Sequence, residues 1–251
     1  MCIRDRLYAH TDIKKDPHSG GRQMNCHFGT RLLNENGDWK TQTDMMNSVS
    51  DISCVSGQMP RIVGLAYASK LYRNNKNLSD MENFSINGNE VVFGTIGDAS
   101  TSEGHFWEAI NACGVLQVPL IMSIWDDGYG ISVPSEYHTT RNDLSKALSG
   151  FQRSSKKENG YEIFTVHAWD YINLLKTYQK AEKLAREDHV PCIIHVKDVT
   201  QPQGHTTSGS HERYKSKERL NWEKDFCCIK RMREWIIENN FASNSEIDII
   251  E

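Results

Sequence analysis

The apolar positions of this chain change their period several times, and each change marks an element. After Pro60, Ile62, Leu65, Ala66, Ser69 and Tyr72 recur at three- and four-residue steps, the spacing of one helix face. A continuous apolar run, "VVFGTIG", predicts a strand over 91–96, and a helix is expected to start near Ser102. That helix runs about three turns, with Phe106, Ala109, Ile110 and Cys113 on one face. "LIMSIW", entered by Pro119, reads as a second strand, "EIFTVHA" as a third and "PCIIHVKD" as a fourth. Between the last two lies an amphipathic helix, "YINLLKTYQKAEKLARE". A long polar loop spans 200–217, and a final helix is predicted from about Arg219 to Asn239. In it Cys228, Met232, Trp235 and Ile236 share a face expected to meet the core or another subunit. Residues 10–60 are polar and loop-rich, and "NNKNLSDMENFSINGNE" is a polar insertion.

Strands alternating with helices, several of them continuous apolar runs, predict an α/β fold: a parallel sheet with helices on both faces. In such sheets ligands bind beyond the carboxyl ends of the strands. At 251 residues the chain is long enough for one large α/β domain, and no internal repeat interrupts it.

Charge narrows the function classes. With 29 basic against 33 acidic side chains the net charge is −4, which argues against a nucleic-acid surface built on net charge. No apolar run approaches the roughly 20 residues that span a bilayer, so no membrane partner is expected. The seven cysteines show no CxxC spacing and read as reduced thiols of a cytosolic or organellar compartment.

Two strands end on acids: Gly97-Asp98 and Asp126-Asp127-Gly128. Asp98 can ligate a hard divalent cation through oxygen, and the small residues Gly97, Ala99 and Ser100 can present backbone N–H groups to a phosphate. Magnesium takes one or two carboxylates plus phosphate oxygens, so paired acidic tips suit a magnesium–diphosphate site. The plainer alternative stays open at this point, with Asp98 an N-cap and Asp126-Asp127-Gly128 an ordinary turn.

Gly97-Asp98-Ala99, then 26 residues, then Asp126-Asp127, resembles the thiamine diphosphate signature, in which Gly-Asp-Gly is followed by paired asparagines. With "GRQMNCHFG", "ISCVSGQMPRIVGLAYASK", "TSEGHFWEAIN", "VPLIMSIWDDGYGISVPSE" and "GHTTSGSHERYKS", the chain is similar to the alpha part of the decarboxylating component of 2-oxoacid dehydrogenase complexes. "GRQM" is closest to the branched-chain type. The similarity covers about 17–240. Residues 1–16, beginning "MCIRDR", are expected to be a non-native or incomplete segment, and 241–251 a tail or linker.

The resemblance implies thiamine diphosphate and Mg2+ as cofactors in a thiamine diphosphate-binding fold. It implies Asp98, Asp127 and the backbone carbonyl of Tyr129 as metal ligands. Gly97, Ala99 and Ser100 would lie beside the diphosphate, Ser53 and Val55 along the aminopyrimidine, and His205 beside the reacting end of thiamine. It also implies oxidative decarboxylation of a 2-oxoacid with acyl transfer to a lipoyl acyltransferase core. Thiamine activation uses a glutamate from a beta subunit or fused beta domain; Glu103 and Glu108 are poor candidates for it, so this chain is expected to be half of a site. The compartment implied is a bacterial cytoplasm or a mitochondrial matrix. Alternatives are a transketolase-like or acetoin-cleaving thiamine enzyme, or a non-catalytic subunit that kept the fold.

Three positions depart from the family pattern: Ala99 replaces a glycine, Asp127 an asparagine, and Trp125 an arginine that contacts the diphosphate. The latter two remove a cation and add an anion where a diphosphate is expected. Thr206, Thr207 and Ser208 occupy the loop phosphorylated in mitochondrial relatives, and Tyr214-Lys215 resembles the tyrosine–arginine pair that closes that loop.

Overall fold

The structure, a computed structural model, describes residues 30–44, 47, 49, 52, 54–201, 204–205 and 211–250. In chain order the strands are β1 (Val92–Gly97), β2 (Leu120–Trp125), β3 (Tyr129–Gly130), β4 (Val133–Pro134), β5 (Glu162–His167) and β6 (Cys192–Lys197). The four longer ones form a parallel sheet in the order β1-β2-β6-β5, while β3 and β4 pair as a small antiparallel hairpin. The helices are α1 (Met59–Asn74), α2 (Gly104–Leu116), α3 (Leu144–Ala147), α4 (Tyr171–Asp188), α5 (Lys217–Asp225), α6 (Cys228–Glu238) and α7 (Asn244–Ile250).

Because successive side chains of a strand point to opposite faces, the apolar run of β2 serves two cores. Leu120, Met122 and Ile124 join Met59, Ile62 and Ala66 of α1 and Phe106, Ala109, Ile110 and Cys113 of α2. Ile121 faces the other way and joins Ile194 and Val196 of β6 with Ala181 and Ala185 of α4. Each Ile or Leu fully removed from water here contributes about 1.5–3 kcal/mol. The step from β5 back to β6 reverses direction across the sheet. A right-handed crossover must then place α4 on the face opposite α2, which is where it packs. The expected parallel sheet with helices on both faces is therefore present. On α1 the buried stripe is Met59, Ile62, Ala66 and Ser69, whereas Leu65 of the predicted face is 41% exposed.

Where Gly94 sits in β1, a Cβ would stand 2.7 Å from Ile62 Cδ1, so the missing side chain lets α1 lie close on the strand. The single helix predicted from Arg219 to Asn239 is in fact two. The chain breaks at Phe226-Cys227, where Phe226 stacks on Trp222 at 5.3 Å and meets Trp169 edge-on at 5.4 Å. Tertiary aromatic packing overrides the helical period there. Residues 244–250 form α7, tied back to α6 by Arg233, which donates to Asp248 at 2.5 Å. The five described cysteines are all free thiols. Among the described residues no helix is long and apolar enough to cross a membrane.

Candidate functional site

Register brings the acidic tips together. Gly97 lies beside Trp125, and Trp125 beside Val196, so β1, β2 and β6 end side by side. The Asp98 N–H donates to the Trp125 carbonyl at 3.1 Å, carrying the ladder one residue further. The chain then turns into a 3-10 segment, Ala99–Ser102, with Thr101 donating to the Asp98 carbonyl from both its N–H (3.1 Å) and its hydroxyl (2.6 Å).

Asp98 occupies the N-cap position of that segment, yet its carboxyl makes no capping bond. It is 4% exposed, and Oδ2 has no hydrogen-bond partner. The nearest cationic candidate is His138 Nε2, 4.0 Å away and likewise without a partner. Burial, followed by the negative charges of Asp126 and Asp127, pushes the Asp98 carboxyl up to about 8. Three carboxyl groups thus converge at this end of the sheet.

The β2 tip is more fully bonded. The Asp126 N–H donates to the Val196 carbonyl at 2.9 Å, and its carbonyl accepts from the Val199 N–H at 3.0 Å. Its carboxylate accepts from the Gly128 N–H (2.9 Å) and meets Nε2 of the fully buried His195 (2.7 Å). His195 Nδ1 in turn lies 2.7 Å from the Ser145 hydroxyl. Burial pushes Asp126 up, but the His195 hydrogen bond and charge, with the Gly128 N–H, hold it below the usual carboxylate range. Asp127 accepts from the Tyr129 N–H at 3.1 Å. Burial raises Asp127 above its ordinary value, opposed by that N–H and by Lys215 and Arg219. The turn anticipated as the plainer reading is present, then, but it consumes only part of the carboxylate capacity of the two acids.

A hairpin closes the site. Tyr129 stands opposite Pro134, and the ladder bond beside this pair runs from the Ser135 N–H to the Gly128 carbonyl at 2.9 Å, so the Tyr129 carbonyl faces away from Pro134. At Gly130 a Cβ would come within 2.8 Å of Ala99 Cβ, with the His138 ring 3.7–3.9 Å away. Ala99 has no left-handed backbone, so its methyl replaces glycine without strain and fills the space that Gly130 leaves.

Of the residues singled out in the sequence, Gly97, Asp98, Ala99, Ser100, Asp127 and Tyr129 share this end of the sheet. The Val55 turn reaches it through the Ser56 hydroxyl, which donates to the Ser100 carbonyl at 2.9 Å; Val55 itself is 55% exposed. His205 is exposed, and its backbone bonds the Tyr214 hydroxyl, whose ring packs on Tyr129 at 5.8 Å. Ser53, Thr206, Thr207, Ser208 and the "GRQMNCHFG" stretch lie outside the described residues. Trp125 is 52% exposed and spends its indole N–H on Ser123 at 3.0 Å, so it offers the site no donor. Lys215 is 5% exposed and pairs with buried Glu223 at 2.7 Å. Sequence reasoning did not find His138, His195 or Arg219. They come from distant segments and carry no local motif.

Among the described residues no group of three or more His, Cys, Asp or Glu side chains forms a metal cage by itself. A magnesium–phosphate site does not need one, since phosphate and water oxygens complete the octahedron. The residues fit such an ion. Asp98 Oδ2 is buried and unbonded, two further acids raise its pKa, and the Tyr129 carbonyl faces away from Pro134.

Residues 10–251 match the family model described as "Dehydrogenase E1 component". The chain is 27% identical over 198 residues to the pyruvate dehydrogenase E1 component subunit alpha of Rickettsia bellii, covering 78% of this chain and 53% of that protein. It is 28% identical over 229 residues to the mitochondrial 2-oxoisovalerate dehydrogenase subunit alpha of Dictyostelium discoideum, covering 90% of this chain and 44% of that protein. The chain thus spans about half the length of these curated relatives. A transketolase structure from Campylobacter jejuni overlaps 57% of the chain and 19% of its own, at 19% identity and a TM-score of 0.41, too distant to carry weight. On the match that runs from residue 10 to residue 251, this chain belongs to the dehydrogenase E1 component family.

Proposed function

We propose that this chain is the alpha part of a thiamine diphosphate- and magnesium-dependent 2-oxoacid dehydrogenase, acting with a beta subunit or fused beta domain and a lipoyl acyltransferase core. The observation that carries the reading is the buried Asp98 carboxyl, whose Oδ2 has no hydrogen-bond partner, under the charges of Asp126 and Asp127. A divalent cation there turns mutual repulsion into shared ligation. Asp98, Asp127 and the Tyr129 carbonyl would hold the ion. Gly97, Ala99 and Ser100 would lie beside the diphosphate, and the Val55 turn would meet the aminopyrimidine.

Thiamine diphosphate, when bound, supplies the nucleophilic carbon and the electron sink for loss of carbon dioxide. The chain's own residues position and exclude. Asp126 is fixed by His195, and His195 by Ser145, so the β2 tip is rigid on the side away from solvent. His205 is exposed, with its backbone tethered to Tyr129 through Tyr214, and would donate to an oxyanion or pass a proton. A cleft of about 450 Å³ opens beside His138, lined also by Thr101, Ser102, Arg141 and Lys146, and offers cations to an acidic substrate or partner. The branched-chain class of 2-oxoacid is the substrate proposed, from the "GRQM" resemblance.

The test is decarboxylation of 2-oxoacids coupled to an artificial electron acceptor, with the full-length protein and its beta partner. Acceptor reduction that needs both parts and prefers branched 2-oxoacids supports the proposal. Activity only with sugar phosphates or acetoin would favour the transketolase-like or acetoin-cleaving alternative. No thiamine-dependent turnover at all would favour a non-catalytic subunit.

A further inference from the structure

We propose that Arg219 is a positioning residue whose guanidinium allows an aspartate to serve at position 127, where the family pattern has an asparagine. The inference rests on the proposed cation site and concerns how this chain builds it. Arg219 Nη2 donates to the Asp127 backbone carbonyl at 2.7 Å, across 92 positions of sequence. Its Nε donates at 2.8 Å to Glu223, whose side chain is 1% exposed. The guanidinium also lies 4.7 Å from the Trp222 ring and 5.6 Å from the Tyr129 ring. A planar fork held on four sides has little freedom to move away.

The electrostatics give the contact its purpose. Asp127 and Glu223 are both withdrawn from water, and Lys215 and Arg219 are the cations beside them. Two acids and two bases make a neutral cluster, whereas an asparagine at 127 would leave it one charge positive. An aspartate there without Arg219 would leave it one charge negative, at a tip that already carries Asp98 and Asp126. Arg219 stands at this tip while Trp125, in the place of the family's arginine, has its only polar hydrogen on Ser123. By gripping the Asp127 carbonyl, Arg219 also sets the direction of the next two residues. These are Gly128, whose φ is +79°, and Tyr129, whose carbonyl is the third proposed ligand.

Charge balance and simple packing predict different outcomes in a double-mutant cycle. In the full-length protein with its beta partner, Arg219→Gln is expected to weaken Mn2+ binding, read by electron paramagnetic resonance in the presence of thiamine diphosphate, by about tenfold or more. Adding Asp127→Asn restores neutrality, so the double variant should bind Mn2+ within about threefold of the parent. Thermal midpoints of the unliganded proteins should follow the same order, with the double variant above Arg219→Gln. Additive losses in both readouts would overturn the proposal, as would unchanged Mn2+ binding in Arg219→Gln. If the parent binds no Mn2+, the cation site itself fails; the midpoints alone then decide, recovery supporting the charge balance and additivity overturning it.

Discussion

Asp98 Oδ2 and His138 Nε2 face one another across 4.0 Å, both buried and neither hydrogen-bonded. Buried polar atoms are almost always paired, because an unpaired one forfeits its hydration for nothing. Two such atoms at one strand tip, next to the tip that carries Asp126 and Asp127, therefore point to a ligand.

The Asp98 carboxyl sets a pH dependence whose sign is fixed. Its pKa is raised from 3.8 to about 8 on folding, so between those values the native chain holds a proton that the unfolded chain has lost. Stability of the unliganded protein therefore falls as pH rises through that window. Asp98→Asn should flatten this slope and stabilise the unliganded protein at pH 8 by about 1–3 kcal/mol, while abolishing magnesium-dependent cofactor binding. Thermal melts of parent and variant from about pH 5 to about pH 9 check this.

Cation binding must then displace that proton. Magnesium affinity should climb with pH and level off near 8, with a proton released per ion below that point. Calorimetry in two buffers of different ionisation enthalpy measures the release directly. Affinity independent of pH would place the ion elsewhere.

Gly130 should resist replacement because of one methyl group. A Cβ at Gly130 would stand 2.8 Å from Ala99 Cβ, so Gly130→Ala should cost about 1–3 kcal/mol and weaken cofactor binding. Ala99→Gly in the same chain makes room and should recover most of both. Chemical denaturation of the two variants tests the pair.

Lys215 and Glu223 form a pair whose side chains are each 1% exposed. Removing one partner leaves a charge in a poorly solvated place. Lys215→Met should therefore destabilise by about 3 kcal/mol, moderated because Arg219 still reaches Glu223 at 2.8 Å. Combining it with Glu223→Leu should restore most of the loss in a urea melt.

The four strands of the parallel sheet are legible in the sequence because each is a short apolar run ending at a turn, and β2 reads as "LIMSIW" to the residue. The acidic tips are legible for the same reason, since the run stops where the acids begin. What surrounds the acids is not. Arg219 reaches Asp127 across 92 positions and His195 reaches Asp126 across 69, and neither contact leaves a periodic trace. His138 follows a hairpin whose turn includes Ile131 at φ +60°, a conformation that no local pattern announces. The break at Phe226-Cys227 is hidden likewise, because the aromatic partners that impose it include Trp169, far upstream.

The most direct test of the account is calorimetric titration of thiamine diphosphate into the full-length protein with its beta partner, with and without magnesium. Binding heat that requires magnesium and disappears in Asp98→Ala is the expected result. Binding heat that ignores the metal or survives Asp98→Ala, or no heat in any condition, would contradict the assignment of these strand tips to a shared cation.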